Sequence, residues 1–515
     1  MATSGQAAAM REQTWLGHPR GLFLLFFAEM WERFSYYGMR AILIFYLTKH
    51  FLLVEDRAYL LYGAYTSLVY ITPVIGGYLA DRFLGPRKAV LAGGVFIASG
   101  HFLIALTEGP GGADPLFLNG FYIALASIIV GTGFLKANIS VLVGELYPRD
   151  DARRDPAFSI FYMGINAGGA IGPVVCGVLG ETVGWSWGFG AAGVGMLLGL
   201  VVFVWLKPWL MGKGEPPRPQ QLRQPVVAGI SREWMIYLGG ILGVAAVWMM
   251  IAHAEALGYA LLIFGVLTVA YILWRAVFIL PPVDRDRIMA ALFLIALNPL
   301  FWGLFEQAGS SLNVFTDRNV DRSVLGLTIP ASVFQSVNSV FIILLAPLFA
   351  ILWTWLDKRR LEPSSPAKFG FGLILCGAGF LVLVAGAAAA GENLTPVIFV
   401  FLIYLFHTMA ELCFSPVGLS AMTRLSVPSM VGLLMGTWFL AMAAGNFIAG
   451  LIARATGGGE GAGVAQVLDI YSRIGWFAMV VGGAVLLVAP WITKLMHLDT
   501  LGAAIARPND GEGQK

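Results

Sequence analysis

The sequence has few charged residues and few cysteines for its length. Of its 515 residues, 12% are charged and 58% are hydrophobic, whereas soluble domains carry about 25% charged residues. A water-soluble fold is therefore excluded. The formal net charge of +3 gives no basis for a general attraction to nucleic acid. Cys176, Cys376 and Cys413 lie in apolar stretches without paired spacing, so they give no sign of a disulfide framework or a thiolate metal site.

The motifs of common membrane-embedded enzymes are also missing. The sequence contains no HExxH, no GxSxG and no GxxxxGK[ST] run, so metal-dependent hydrolysis and nucleotide use lack their usual signatures. We predict that the protein is not an enzyme and uses no cofactor or metal. Before the first apolar stretch we find no short apolar region followed by a small-residue cleavage site, so export is not implied. That stretch is long enough to remain in the membrane as a helix, because about 20 apolar residues cross about 30 Å of hydrocarbon.

Long apolar runs between polar breaks predict an all-α integral membrane protein with fourteen transmembrane helices. The first six and the last six form bundle-sized units at 20–207 and 286–495, with two extra helices inserted at 233–280. Residues 208–232 are rich in proline and basic side chains, which suits an exposed cytoplasmic linker. The predicted spans lie near 20–48, 58–80, 88–107, 116–146, 157–180, 186–207, 233–252, 256–280, 286–313, 328–356, 366–390, 394–424, 430–454 and 466–495.

Lysine and arginine are distributed unevenly between the loops at the two ends of these spans. Basic residues such as Arg82, Arg87 and Lys88 cluster at the end that holds the N-terminus, whereas loops at the other end hold few. Cytoplasmic loops are enriched in these residues. We therefore predict a multi-pass protein of the cytoplasmic (inner) membrane with both termini in the cytoplasm.

Charged residues also occur inside the apolar spans, where each costs about 2.5–3.5 kcal/mol on insertion scales. At about 100° per residue, six polar residues of the first span share one helix face about 140° wide: Glu29, Glu32, Arg33, Tyr36, Tyr37 and Arg40. We interpret this stripe as the lining of a cavity. The alternative is that the four charges neutralise one another and only hold neighbouring helices together.

Further polar residues recur within later spans: Lys136, Asn166, Glu306, Asn338 and Glu411. Each has a plainer interpretation as a contact between packed helices, most readily the two asparagines, since an interhelical amide hydrogen bond is common in membranes. Their signs are distributed unevenly, because the extra cations lie in the N-terminal half and Glu306 and Glu411 in the C-terminal half. A cavity between the halves would suit a zwitterion, with its carboxylate toward Arg and Lys and its ammonium toward Glu411.

Several segments together resemble the proton-coupled oligopeptide transporter family of the major facilitator superfamily. EMWERFSYYG at 29–38 matches that family's first-span signature, ExxERFxYYG, at every fixed position. FYMGIN, FWxxxEQxGSSL, QSxN and ELxxSPxGLS follow in the family's order, so the resemblance covers most of residues 20–455. It implies the major facilitator fold, with two six-helix bundles plus the two extra helices of bacterial members. The implied function is proton-coupled import of di- and tripeptides by alternating access.

The resemblance also implies roles by position. Arg33, Tyr37, Arg40 and Lys136 would receive the peptide carboxylate, and Asn166, Asn338 and Glu411 would hold its amino end. The side-chain pockets would be shaped by Tyr36, Tyr70, Trp302, Ser415, Trp438 and Phe439, although aromatic stripes are also common in helix packing. The expected partners are di- and tripeptides, protons and the lipid bilayer, with neither nucleic acid nor an obligate protein partner.

The sequence departs from mammalian members of the family at one position. These carry a functional histidine in the second span, where this chain has Gly63, so carboxylates would have to carry the proton. His101, His253 and His407 lie in or at the ends of spans and are interpreted as satisfied core or interface residues. By the resemblance, we expect Glu306 to pair with Arg40, and Glu29 or Glu32 with Lys136, in alternating states of the cycle.

Two other classes of membrane protein remain as alternatives. Relatives with the same first-span signature move nitrate or other anions, for which the cations matter but Glu411 need not. A channel or scaffold fits the spans but leaves the opposed charges unexplained. The intact ELCFSP context of Glu411 favours peptides over anions.

Overall fold

The structure is a computed structural model that describes residues 14–148, 151–324, 326–427, 430–457 and 463–498. Long helices dominate these ranges. In chain order they are α1 Arg20–Phe45, α2 Glu55–Leu79, α3 Pro86–Leu106, α4 Pro115–Glu145, α5 Arg154–Val178, α6 Trp185–Trp205, α7 Arg232–Ala252, α8 Ala254–Phe278, α9 Pro282–Phe305, α10 Ser336–Lys358, α11 Ser365–Ala390, α12 Ile398–Leu425, α13 Val431–Thr456 and α14 Val464–Leu495. These fourteen helices confirm the predicted all-α architecture, with ends within a few residues of the predicted ones for most spans.

Thirteen of these helices, α2 to α14, are long and apolar enough to cross a membrane. The first helix is the exception, because Glu29, Glu32, Arg33 and Arg40 lie in its middle. All four side chains are buried inside the protein. Burial among other helices removes these charges from lipid contact, and this is how a helix of such low hydropathy is retained in the bundle.

Shorter elements join the long helices. π-Helical turns extend α1, α2 and α5 at Tyr46–His50, Ala80–Leu84 and Leu179–Val183, and 3₁₀ turns occupy Lys207–Leu210, Glu306–Gly309 and Ala331–Gln335. Two further helices cover Pro219–Arg223 and Ser311–Asn319. The strands are two or three residues long: β1 Thr14–Trp15 with β2 His18–Pro19, β3 Pro225–Val227 with β4 Ile230–Ser231, and β6 Ser323–Val324 with β7 Leu327–Thr328 are antiparallel, whereas β5 Val320–Asp321 pairs in parallel with β8 Thr395–Pro396.

The long helices form two groups that meet along two seams. In the N-terminal half, α1 packs on α5 and α6 while α3 packs on α4 and α6; in the C-terminal half, α11 packs on α12 and α14 while α9 packs on α13. The seams are α2 against α13 and α5 against α10. In the first seam, a Cβ on Gly63 would lie 3.0 Å from Gly450 Cα. The residue that replaces the mammalian histidine thus allows two backbones to approach closely.

The two inserted helices contact both halves. α7 packs on α4 of the N-terminal half, where the Trp248 indole donates to Asn119 Oδ1 at 3.3 Å. α8 packs on α13 and α9 of the C-terminal half, with Gly258 against the Phe447 ring. Their outward faces carry many exposed apolar side chains, as expected for contact with lipid.

The segment 208–232, predicted as an exposed linker, is mostly exposed but is also fastened to the N-terminal half. Leu210 and Leu222 are buried, and the Arg87 backbone N–H donates to Gly214 O at 3.1 Å. The Gly214 N–H donates to Glu145 Oε2 at 2.8 Å. Proline and arginine content indicated a loop correctly, but it carries no information about the tertiary contacts that fasten this loop to the N-terminal half.

Candidate functional site

A central cavity of about 270 Å³ lies between the two halves. It is lined by twelve of the residues that the sequence predicted for coupling or binding: Glu29, Arg33, Tyr37, Arg40, Tyr70, Lys136, Asn166, Trp302, Glu306, Asn338, Glu411 and Ser415. The first-span stripe and the polar residues of later spans therefore converge on one site. The remaining four predicted residues, Glu32, Tyr36, Trp438 and Phe439, do not line it.

The N-terminal part of the α1 stripe, formed by Glu29, Glu32 and Arg33, is an ion cluster within one helix. Arg33 Nε lies 3.2 Å from Glu29 Oε1 and 2.5 Å from Glu32 Oε2. Its guanidinium also lies 5.3 Å from the centre of the Tyr36 ring. The spacing of one helical turn between Glu29 and Arg33 places their side chains on the same face. These three charges therefore neutralise one another, as in the alternative interpretation of the stripe. Arg33 and Glu29 nevertheless also line the cavity.

Arg40 is bound across the two halves. Its Nη1 lies 3.0 Å from Glu306 Oε2, and its guanidinium lies 5.6 Å from the centre of the Tyr37 ring. Both charged side chains are buried, with side-chain exposures of 8% and 2%. Removal of one member of a buried pair leaves the other uncompensated, at a cost of about 3–5 kcal/mol. This contact is the pair that the family resemblance implied for these two residues.

Lys136 has a different environment from the two arginines. Its Nζ lies 3.9 Å from the centre of the Tyr70 ring, at the wall of the cavity. Among the residues that the structure describes, no carboxylate forms an ion pair with it, since Glu29 and Glu32 both contact Arg33. The expected pair of Lys136 with Glu29 or Glu32 is thus not formed in this conformation. Lys136 is a cation held by an aromatic face and placed to bind an anion.

The opposite wall presents an amide and a carboxylate. Asn338 of α10 donates from Nδ2 to Glu411 Oε2 at 3.2 Å and to Thr408 Oγ1 at 3.0 Å, both on α12. On the N-terminal side, Asn166 donates to the Tyr162 carbonyl at 3.0 Å. The amide of Asn338 thereby fixes the direction of the Glu411 carboxylate. One wall of the cavity is cationic and the other carries this oriented anion.

Sequence reasoning missed several cavity-lining residues and misplaced others. Tyr162, Gln335, Ser339, Tyr404 and His407 line the cavity. Ser339 directly follows Asn338. The other four lie three, four or seven positions from a predicted residue, so extension of each stripe by helical spacing would have found them. His407, interpreted as a satisfied core residue, does contact the Cys376 carbonyl at 3.2 Å, yet it also faces the site.

Trp438, predicted as a pocket residue, is instead part of the C-terminal core. A Cβ on Gly418 would lie 2.1 Å from its ring, and its ring packs at 6.3 Å from Phe369 and 6.4 Å from Phe414. Phe439 packs against the same core. Tyr36 and Glu32 are buried beside Arg33. A residue type and its helical phase do not show which neighbour fills the space in front of it.

The two ends of the molecule differ. At the end opposite to the 208–232 segment, ion pairs join the halves: Lys49 with Asp317 at 2.7 Å, Arg318 with Glu55, and Arg454 with Asp56. At the end that holds this segment, which we call the linker end, Tyr162 and Leu419 are exposed by 42% and 39%. Among the described residues, no ion pair joins α1–α6 to α9–α14 there. Ion pairs thus tie the halves together at the opposite end, while Tyr162, which lines the central cavity, is exposed on the linker side.

Comparison with known proteins agrees with this architecture. The sequence profile of the POT family matches residues 87–466. A protein of Bacillus subtilis named as an uncharacterized transporter, YclF, is 38% identical over 94% of this chain and 96% of its own length. The peptide transporter YePEPT of Yersinia enterocolitica is 38% identical over 85% of this chain and 88% of its own length. Dipeptide and tripeptide permease B of Salmonella typhimurium is 31% identical over 94% and 97%.

Solved structures give the same result. A crystal structure of a variant of a peptide transporter POT in complex with alafosfalin superposes with a TM-score of 0.81 at 36% identity, over 96% of this chain and 100% of that one. A POT family transporter in complex with 5-aminolevulinic acid superposes with a TM-score of 0.79 at 30% identity, over 93% and 98%. The chain therefore belongs to the POT family: it is a multi-pass membrane transporter of the major facilitator fold and not an enzyme.

Proposed function

We propose that this transporter imports di- and tripeptides together with protons across the cytoplasmic membrane by alternating access. The observation that carries the proposal is the charge distribution of the central cavity. Arg33, Arg40 and Lys136 lie on one wall, and Glu411 on the other. A zwitterion satisfies both walls at once, because its carboxylate is matched by cations and its ammonium by the carboxylate.

The dimensions of the cavity limit the size of the substrate. Its volume of about 270 Å³ is close to the lower end of the range of about 300–1,000 Å³ for small-molecule sites. An extended chain spans at most about 3.3–3.6 Å per residue. Two charged walls about 7–11 Å apart would accept two or three residues by that rule. Longer peptides would leave one charge unpaired.

Proton coupling would use the ion pair between the halves. Protonation of Glu306 removes its charge and releases Arg40, which then binds the peptide carboxylate. The halves are joined by this pair and by the ion pairs at the opposite end, so its loss favours separation at that end. Within the N-terminal half, Glu29 or Glu32 would engage Lys136 in another state of the cycle. With the basic loops in the cytoplasm, the linker end would face inward.

The experiment is proton-driven uptake into proteoliposomes loaded with a pH-sensitive dye. Addition of di-alanine acidifies the interior if the proposal is right, and free alanine, tetra-alanine and nitrate do not. Acidification with nitrate but not with di-alanine would favour the anion transporters of this family instead. Glu411 on the cavity wall, bound to Asn338, supports the peptide over the anion.

A further inference from the structure

The break in the helix at the coupling carboxylate is held by a buried hydrogen-bond network outside the central cavity. α9 ends at Phe305, a 3₁₀ turn covers Glu306–Gly309, and a helix resumes at Ser311. Gln307, Ser311 and Tyr471 are 0%, 2% and 0% exposed, and none of them lines the central cavity. Ser311 instead lines a cavity of about 610 Å³ at the end opposite to the linker.

Each hydrogen bond of this network can be assigned a donor and an acceptor. Ser311 Oγ donates to Gln307 Oε1 at 2.6 Å, and the Tyr471 hydroxyl lies 2.8 Å from Ser311 Oγ. Because the serine proton is already used, the tyrosine hydroxyl is the donor to the serine oxygen. The Gln307 Nε2 group donates to Gly303 O at 2.8 Å and to Ala449 O at 3.0 Å. The break in α9 is thereby tied to α13 and α14.

The network and the ion pair act on the same turn from different helices. Glu306 reaches Arg40 of the N-terminal half, while the next residue, Gln307, is bound within the C-terminal half. A turn at a helix break has fewer backbone hydrogen bonds than a continuous helix, so side-chain contacts determine its position. When the halves separate, the turn therefore stays with α13 and α14 and does not follow the arginine.

We propose that Gln307, Ser311 and Tyr471 are positioning residues for proton coupling: they fix Glu306 to the C-terminal half, so that movement of the halves breaks its pair with Arg40. This inference rests on the proposed function. Without the network, Glu306 follows Arg40 and the pair persists through more of the cycle. Release of Arg40 then requires a higher proton concentration, so the pH dependence of uptake shifts to lower pH.

The test compares Tyr471→Phe with Tyr237→Phe in proteoliposomes. Tyr237→Phe in α7 also removes one hydroxyl donor, which binds Glu233 Oε1 at 3.0 Å, but Tyr237 lies away from the break. For Tyr471→Phe we expect uphill peptide accumulation to fall about fivefold, the factor equivalent to one net hydrogen bond of about 1 kcal/mol. The pH of half-maximal uptake decreases, and peptide counterflow without a proton gradient is unchanged. Tyr237→Phe behaves as wild type in all three measurements.

A second pair of variants covers the case in which Tyr471→Phe does not fold. Ser311→Ala removes the hydroxyl that links Tyr471 to Gln307, so the pH of half-maximal uptake decreases as it does in Tyr471→Phe. Ser311→Thr keeps a hydroxyl at this position, so its pH of half-maximal uptake equals that of the wild type. Absence of proton-driven peptide uptake in the wild type would contradict the proposed function itself. If the wild type is active and Tyr471→Phe and Ser311→Ala match it in accumulation and pH dependence, the positioning role is wrong and the proposed function stands.

Discussion

Closure of the end opposite to the linker depends on a glycine at the contact between the halves. A Cβ on Gly309 would lie 1.7 Å from the Tyr62 hydroxyl oxygen and 3.2 Å from Arg40 Nε. Tyr62 is 0% exposed, so its ring cannot turn aside into solvent. We predict that Gly309→Ala destabilises the closed arrangement of the halves, because the new methyl group meets the other half.

The magnitude follows from the cost of overpacking. An extra methylene in a packed core costs about 1–3 kcal/mol, and each 1.4 kcal/mol is a factor of about ten in a population. The strain arises only where the halves touch, so the ratio of closed to open molecules falls by about 5- to 150-fold. The added variant Tyr62→Phe removes the nearest atom and leaves Tyr62 Cζ at 2.8 Å, so it restores closure in part.

The assay is a spin-label distance measurement across the closed end. Val54 and Leu394 are exposed on the two halves, and the native cysteines are buried, so cysteines introduced at these two sites are labelled selectively. Gly309→Ala should shift the distance distribution to longer values. Gly436→Ala is the control, because nothing lies within 4 Å of the added methyl group. If Gly309→Ala gave the wild-type distribution, the glycine contact would not determine closure.

The remaining predictions concern the first seam and the anionic wall. Gly63→His places a Cβ 3.0 Å from the Gly450 backbone and should lower the free energy of unfolding by about 1–3 kcal/mol without creating a new proton carrier. Thermal unfolding in detergent and the pH profile of uptake test this prediction. An unchanged melting temperature would refute it. Glu411→Gln removes the carboxylate that Asn338 orients. It should weaken binding of di-alanine far more than binding of N-acetylated di-alanine, because the acetylated amino end carries no charge. Equal losses of affinity for the two peptides in a competition assay would show that Glu411 does not bind the ammonium group.

The fold was predictable because lipid imposes strict requirements on sequence. Each span must satisfy its backbone internally and present apolar side chains over about 30 Å, so the runs are visible without knowledge of contacts. The third and thirteenth spans, predicted at 88–107 and 430–454, are observed at Pro86–Leu106 and Val431–Thr456. The ninth span, predicted as continuous over 286–313, breaks at Glu306. The contacts of Gln307 and Ser311 with α13 and α14 join residues far apart in the sequence, so no local pattern contains them.

The site was predictable in its charges and less so in its aromatic residues. Buried charges such as Arg40 and Glu306 are costly in lipid, so their presence favours a shared polar cavity. Trp438 has no such constraint, and its ring fills the C-terminal core against Gly418. Lys136 was correctly placed at the cavity, but its contact with the Tyr70 ring depends on how α2 and α4 pack. The partners of a buried group are a property of the tertiary structure.

The central claim is that Glu306 carries the transported proton because its pair with Arg40 spans the two halves. The most direct measurement is uphill accumulation of labelled di-alanine in proteoliposomes driven by a pH gradient, compared between wild type and Glu306→Gln. We predict that Glu306→Gln loses accumulation and its response to the gradient while peptide counterflow persists. Accumulation by Glu306→Gln at the wild-type level would contradict the claim.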